Sequence, residues 1–132
     1  MGQQQLLLII LGVIIVGIAI AVGIQQFGAH STQSNKDGVT AELINIAANA
    51  YQHKIRPGSM GGGGTTYNGS LAGTSAYAIP SKMLQDDNGT YALGTVSAST
   101  IQILGTSKIN TAWVATITAD DTGRTTMTFA GW

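Results

Sequence analysis

The N-terminal part of the chain is one unbroken apolar run. From Leu6 to Ile24, nineteen consecutive residues carry no polar side chain. At about 1.5 Å per residue, a helix of this length covers roughly 28 Å, close to the hydrocarbon thickness of a bilayer. The glutamines before the run supply no positive charge, and the run is longer than the apolar core of a signal peptide, which disfavours a cleaved signal. The run predicts a helix that spans a membrane or associates with other helices.

Glycine recurs through this run, at Gly12, Gly17 and Gly23. Small residues let two helix backbones approach closely, so their recurrence favours helix–helix packing over contact with lipid alone. A simple membrane anchor is the alternative, because glycine is common in membrane helices. The residues predicted to form a packed helical core are Leu6, Leu7, Leu8, Ile9, Ile10, Leu11, Gly12, Val13, Ile14, Ile15, Val16, Gly17, Ile18, Ile20, Val22, Gly23 and Ile24.

A different pattern follows the run. Apolar residues recur at i, i+4, i+7 and i+11, which predicts an amphipathic helix. That helix ends at Pro57, because the residue before a proline avoids helical geometry and a glycine comes next. We therefore predict a helical segment over residues 1–56, either continuous or interrupted near residues 28–35. Its apolar half covers residues 1–27 and its amphipathic half residues 28–56.

Beyond the helix, residues 57–89 form a glycine-rich loop region with one short helical turn near Pro80–Leu84, and residues 90–132 form a β domain. Alternating apolar and polar residues predict its strands. They are Thr90–Ser97, Thr100–Thr106, Ala112–Ala119 and Arg124–Ala130. The predicted fold class is α+β, with a four-stranded antiparallel sheet that packs one face on the amphipathic half-helix. The residues predicted to join helix and sheet are Val39, Leu43, Ile46, Ala50, Tyr51, Trp113, Ile117, Met127 and Phe129.

An apolar half-helix, an amphipathic half-helix and a small polar domain, in that order, resemble the type IV pilin superfamily. The resemblance rests on the organisation of residues 1–53, and the downstream domain matches only in broad class. It implies that the apolar half-helices of many copies form the core of a filament, while the amphipathic half packs on the subunit's own sheet. It also implies a membrane location before assembly and a pilus assembly machinery as partner.

The chain departs from that family in two ways. Bacterial pilins usually carry glutamate at the fifth position of the mature chain, where it is thought to pair with a neighbour's terminal amine. Gln5 stands here; its amide can hydrogen-bond but cannot neutralise an ammonium group, so we expect at most a docking role through hydrogen bonds. No basic leader precedes the run either, so the chain is either already mature or begins natively at Met1.

Composition excludes several classes of function. The net charge is zero and only six residues are basic, too few for the electrostatic footprint of a nucleic-acid binder. The absence of cysteine excludes disulfides, thiolate metal sites and cysteine nucleophiles. We therefore expect no nucleic acid as a direct ligand.

The few candidates for catalysis or ligand binding are weak. The glycines at 61–64 follow a helix and lack the Lys-Ser or Lys-Thr of a phosphate-binding loop. The carboxylate pairs at 86–87 and 120–121 adjoin turn residues and lack the ligand spacing of a calcium loop. His30 and His53 lie 23 residues apart on the predicted helix, too far to share a metal ion. We predict no enzyme, no cofactor and no metal site.

Two asparagines, Asn68 and Asn88, fit the N-glycosylation triplet. Asn-Gly is also a common tight-turn dipeptide, which we favour as the explanation. Threonines on the predicted strands fit a high β-propensity better than O-linked sugars.

The sequence predicts a structural subunit of an extracellular pilus-like filament on the cell surface. The alternatives are a minor pseudopilin of a secretion system and a membrane-anchored monomer that displays the β domain for binding. The sequence does not separate adhesion from motility, DNA uptake or surface coating.

Overall fold

The computed structural model describes residues 2–132; Met1, the first residue of the predicted helical segment, lies outside the described residues. The chain divides into two compact units, residues 1–34 and 35–132, which are described separately below. The helices are α1 (Gly2–Ile55) and two short 3₁₀ turns, Gly58–Met60 and Ser81–Met83, and the strands are β1 (Gly89–Val96), β2 (Ile101–Ser107), β3 (Val114–Ala119) and β4 (Thr125–Ala130).

The structure confirms the predicted α+β class, with one long helix and a four-stranded antiparallel sheet in the order β1-β2-β3-β4. Helical structure continues through residues 28–35, so α1 has no interruption there. Each strand begins and ends within two residues of its prediction. The start of β3 differs most, because Trp113 donates its backbone N–H to Asn110 O at 3.0 Å and belongs to the preceding turn.

The second unit, residues 35–132, is built on contact between α1 and the sheet. Val39, Leu43, Ile46 and Ala50 are fully buried, as is Ile117 on β3 apart from a trace of surface. β2 and β3 bury alternate residues, as a sheet with one covered face should. This stripe on the helix and the inward residues of the two central strands form the core of the unit.

Gly105 on β2 lies where the helix comes closest to the sheet. A Cβ at this position would lie 2.9 Å from Val39 Cγ1 and about 3.1 Å from the Tyr91 ring. Distances this short are tighter than ordinary van der Waals contact. The missing side chain of Gly105 therefore allows Val39 to pack directly on the strand.

Two predicted helix-to-sheet residues are placed differently by the structure. Phe129 on the edge strand β4 is 42% exposed, because the sheet face of β4 is covered far less than those of β2 and β3. Lys36 of the helix lies over its ring, with the Nζ 4.2 Å from the ring centroid. Trp113 precedes β3 and stacks on Trp132 at 5.2 Å, half-exposed outside the core. Aromatic character alone had suggested burial for both.

The remaining predicted contacts are partial. Met127 is half-buried and packs against the core cluster. Tyr51 is half-buried and lies against Gly123 in the β3–β4 turn, where a Cβ would come within 3.0 Å of its ring. Gly123 has a φ of +82°, a conformation in which an L side chain is strained, so glycine is required there on two grounds.

Three tyrosines complete the core with their hydroxyls satisfied. Tyr67 donates to Asp120 O at 2.8 Å, Tyr77 to Asn49 Oδ1 at 2.9 Å, and Tyr91 to the carboxylate of Asp86 at 3.1 Å. Burial raises the pKa of Tyr67 and of Tyr77 to about 12. Burial, together with the Asp86 charge, raises the pKa of Tyr91 as well.

We predict that Leu43→Ala lowers the free energy of unfolding of the second unit by about 2–5 kcal/mol, because it removes a fully buried side chain and leaves a cavity. Urea unfolding of the detergent-solubilised chain, followed by the fluorescence of Trp113 and Trp132, measures the change. The matched control is Ile44→Ala on the adjacent, exposed position, where we expect a change within about 0.5 kcal/mol. Equal losses at the two positions would contradict the assigned helix face.

We also predict that the second unit loses stability as the pH rises from about 10 to 12. The unfolded tyrosines ionise near pH 10, whereas the folded Tyr67 and Tyr77 hold their protons to about 12. When the pKa of a group is higher in the folded state than in the unfolded state, the group stabilises the fold fully at pH values below the unfolded pKa. This stabilisation is lost as the pH rises towards the folded pKa. Phenolate absorbance and circular dichroism, titrated together, should change in the same pH range. In the Tyr77→Phe variant, the free energy of unfolding should depend less steeply on pH in this range.

Candidate functional site

The candidate site is the apolar surface of α1 between Leu6 and Ile24, within the first unit. Every leucine, isoleucine and valine in this stretch is 50–68% exposed. An isolated helix that shows apolar side chains on all sides is stable only when lipid or other protein covers it. The stretch is long and apolar enough to cross a membrane, and none of it is buried in the structure. It could therefore anchor the chain in a membrane.

Helical backbone suits this environment because it satisfies its own N–H and C=O groups within the segment. Polar glutamines border the apolar stretch on both sides, at Gln3–Gln5 and Gln25–Gln26. Gln5 is exposed in the structure, and its predicted docking role remains a prediction. Side chains of Gln4, Leu7, Leu8 and Leu11 line a shallow, open and mostly apolar groove along the helix.

The glycines leave open positions on this surface. No atom lies within 4 Å of a Cβ built at Gly12, Gly17 or Gly23. At 100° per residue, Gly12 and Gly23 lie on one face together with Ala19, whereas Gly17 lies about 140° away. The backbone is therefore accessible on two faces of the helix. A second helix could approach closely on either of them.

The carboxylates that were candidates for calcium are largely used within the second unit. Asp86 Oδ1 accepts the backbone N–H groups of Asn88 and Gly89, each at 2.9 Å. Asp120 Oδ1 accepts from the Thr122 hydroxyl at 2.7 Å and from the backbone N–H of Arg124 at 2.9 Å. The Thr122 hydrogen bond is the largest cause of the lowered pKa of Asp120. Both carboxylates stabilise turns.

The glycine loop at 61–64 also has a structural role, because it closes the C-terminal end of α1. The last carbonyls of a helix have no partner within the helix. Here Gly63 donates its N–H to His53 O at 2.8 Å, and Gly64 donates to Arg56 O at 3.0 Å. A Cβ at Gly62 would collide with Arg56 O. These N–H groups already bind the helix end, so they do not form a phosphate cradle.

Neither histidine is part of a cluster of possible ligands. His30 is exposed on α1, and His53 Nε2 lies 2.9 Å from Ser75 O, with its ring edge-on to Tyr77. Within residues 2–132, no group of three or more His, Cys, Asp or Glu side chains is placed to hold a metal ion.

The two glycosylation triplets differ in the structure. Asn68 is exposed, and its side chain accepts the backbone N–H of Ser70 at 3.1 Å in a turn where Gly69 has a φ of +63°. The side chain of Asn88 lies against Gly38, where a Cβ on the helix would collide with its amide. A glycan on that amide would have to displace the helix, so the structure argues against Asn88 as an acceptor.

Sequence reasoning missed two polar residues at the ends of the buried stripe. Asn35 and Lys54 are both 5% exposed, and they continue the stripe by one further step of four residues in each direction. Asn35 donates to Asn88 O at 2.9 Å and accepts from the Ser107 hydroxyl at 2.6 Å. Extending the helical spacing past the apolar residues would have found both positions.

Two oxygens of Asp121, one from its carboxylate and one from its backbone carbonyl, hold the buried ammonium group of Lys54. Its Nζ lies 2.8 Å from Asp121 Oδ1 and donates to Asp121 O at 3.0 Å. The rings of Tyr51 and Tyr67 lie 5.9 and 5.7 Å from the same Nζ. Asp121 itself is largely exposed. The pair ties the end of α1 to the β3–β4 turn.

Comparison with known proteins gives no relative. No family model matches the chain, no curated protein is significantly similar to it, and no solved structure matches its fold significantly.

Proposed function

We propose that this chain is a structural subunit of an extracellular, type IV pilus-like filament, polymerising through the apolar half of α1. The observation that carries the proposal is the exposure of every leucine, isoleucine and valine of Leu6–Ile24 on a helix whose second half packs on its own sheet. Subunits would reside in the membrane first and then be stacked by an assembly machinery. The polymer is a homopolymer, and we propose no enzymatic activity.

Energetics support a polymer that stays assembled in water. Fourteen leucine, isoleucine and valine side chains are exposed in the stretch, and burying each from water contributes about 1.5–3 kcal/mol. The sum is tens of kcal/mol before the entropy of association is subtracted. Lipid covers the same surface equally well, so apolarity alone does not separate a filament from an anchor. The accessible glycines favour the filament, because close backbone packing adds contacts that lipid does not supply.

Two open faces also suit the geometry of a filament. A contact between different faces of two copies repeats without closing and produces a helical polymer. Gly12 and Gly23 lie on one face and Gly17 on another, so each helix can meet more than one neighbour. A monomeric membrane anchor that displays the β domain needs neither face.

The proposal is tested by electron microscopy of material sheared from the cell surface, with antibody labelling of the chain. We expect thin fibres that contain the chain and persist without detergent. If the chain is found only as monomers in the membrane fraction, the anchor is the correct function and the filament is not.

We predict that Gly17→Leu reduces fibre formation at least roughly tenfold, because it blocks close approach of a second helix. It should leave the urea unfolding of the second unit unchanged, since a Cβ at Gly17 has no atom of another part of the chain within 4 Å. Ile18→Leu is the control, because it keeps the side-chain volume and should assemble normally. Fibres of Gly17→Leu at normal yield would contradict the role of the glycine while leaving the filament itself standing.

A further inference from the structure

The two edges of the sheet are not equivalent. The β1 edge is partly covered by the preceding loop: Tyr91 donates its backbone N–H to Leu84 O at 2.8 Å, and Gln85 forms a bridge with Thr90. The pairing of β1 with β2 also shifts between Leu93 and Val96. Covering loops and bulges are two ways by which proteins prevent an edge strand from pairing with another chain.

In the part of the chain that the structure describes, the β4 edge has neither a covering loop nor a bulge. Asp120 donates its N–H to Arg124 O at 2.9 Å, so residues 120 and 124 form a hydrogen-bonded pair. Such pairs alternate along an antiparallel ladder, and therefore Thr126 and Thr128 direct their backbone groups to β3. The backbone groups of Thr125, Met127 and Phe129 point away from the sheet. Within residues 2–132, no backbone hydrogen bond reaches them from outside the sheet.

The composition of β4 leaves this edge open as well. The strand Thr125–Ala130 contains no charged residue and no proline. Its side chains other than Met127 are exposed on both faces. Charged side chains, especially lysine, and prolines are the usual devices that keep edge strands apart. An uncharged, exposed and unpaired strand of this kind is a template for another strand.

We infer that β4 pairs antiparallel with β4 of a second copy of this chain, around a two-fold axis at Met127. In this register Met127 lies opposite Met127 of the second copy, and Thr125 lies opposite Phe129. All outward backbone groups of the three residues are then paired. The register is self-complementary, as a two-fold interface requires.

The side chains are compatible with this pairing. Thr126 lies opposite Thr128 of the second copy, on the face away from the helix, and threonine–threonine pairs are favourable across strands. Arg124 lies opposite Ala130, so the pairing brings no like charges together. Within one copy, Thr128 lies beside Thr116 and Thr126 beside Thr118. The proposed pairing continues these two rows of threonine side chains across the two-fold axis into the second copy.

The inner face leaves room for the second copy. Thr125 and Phe129 point to the helix side of the sheet, yet both are exposed, so α1 leaves much of the inner face of β4 uncovered. A pairing of two six-residue strands is small for a protein interface. It is favoured where many copies are concentrated, as in a membrane or along a fibre, because the effective concentration is then high. The inference does not require the chain to polymerise.

Disulfide trapping tests the register. The chain has no cysteine, so Thr126→Cys and Thr128→Cys copies can be prepared separately, mixed in detergent and oxidised mildly. Opposite residues in a non-hydrogen-bonded pair have Cα atoms about 4.5 Å apart, within disulfide range. Two copies of the same variant place their cysteines on a diagonal of about 7–8 Å, beyond that range. We expect the mixture to give roughly tenfold more cross-linked dimer than either variant alone.

The control for trapping is Thr95→Cys, an exposed position on the protected β1 edge, which should cross-link no more than random collision allows. Equal trapping at Thr95 would overturn the inference. So would a mixture that cross-links no better than the single variants, or cysteines on β4 that capture a different protein in cells in place of a second copy.

A second experiment adds charge to the interface. Thr126→Lys with Thr128→Lys brings lysines opposite lysines across the axis and should abolish the dimer in analytical ultracentrifugation. Thr90→Lys with Ala92→Lys on the other edge is the matched control and should leave the dimer intact. Tryptophan fluorescence checks that both double variants are folded. Trapped dimers without fibres would support the β4 pairing and contradict the filament. Fibres without trapped dimers would support the filament and contradict the β4 pairing.

Discussion

The packing of one helix stripe on the two central strands is the interaction on which the second unit depends. Val39, Leu43, Ile46, Ala47 and Ala50 supply the buried apolar side chains that α1 contributes to the core. Gly105 lets Val39 approach the sheet without an intervening side chain. Buried polar groups at both ends of the stripe, Asn35 and Lys54, have partners on the sheet side, so the helix is fixed in register as well as in position.

In the described part of the first unit, the large apolar side chains of Leu6–Ile24 are exposed and pack on no sheet. The same helix that buries a narrow stripe in one unit exposes apolar side chains on all sides in the other. Burying that surface is favourable wherever a cover exists, whether lipid or protein. The glycines matter because they are the one feature of the stretch that distinguishes a protein neighbour from lipid. The proposed filament is the arrangement in which sister copies provide the cover.

The residues that suggested chemistry turn out to stabilise the chain's own backbone. Asp86 and Asp120 satisfy N–H groups in turns, and the glycines at 61–64 satisfy carbonyls at the end of α1. A sparsely charged domain has few side chains to spare, and buried or constrained backbone groups require partners. The outward backbone groups of the β4 edge, by contrast, have no partner in the described chain, and neither does the buried indole Nε1 of Trp132. Among the described residues of the second unit, the β4 edge is therefore an open feature, a strand that can pair with another strand.

The amino-acid sequence by itself determined the α+β class, the helix stripe and the four strands, because each depends on local periodicity of 3.6 or 2 residues. It also determined that Leu6–Ile24 needs a cover, since no rearrangement of nineteen apolar residues removes their need for one. Only the tertiary structure decided which aromatics are buried. Phe129 has the same inward parity as Met127, yet Met127 packs against the core whereas Phe129 stays 42% exposed.

Tertiary structure also decided the roles of the polar residues at the ends of the stripe. Asn35 and Lys54 have the spacing of core residues but the chemistry of surface residues, and only the positions of Ser107 and Asp121 make their burial tolerable. The sequence alone does not show which of the two edge strands is covered. The fold made them different, because the loop before β1 returns to pair with it and nothing in the described chain returns to β4. Periodicity fixes which side a residue faces, whereas long-range packing fixes what it meets there.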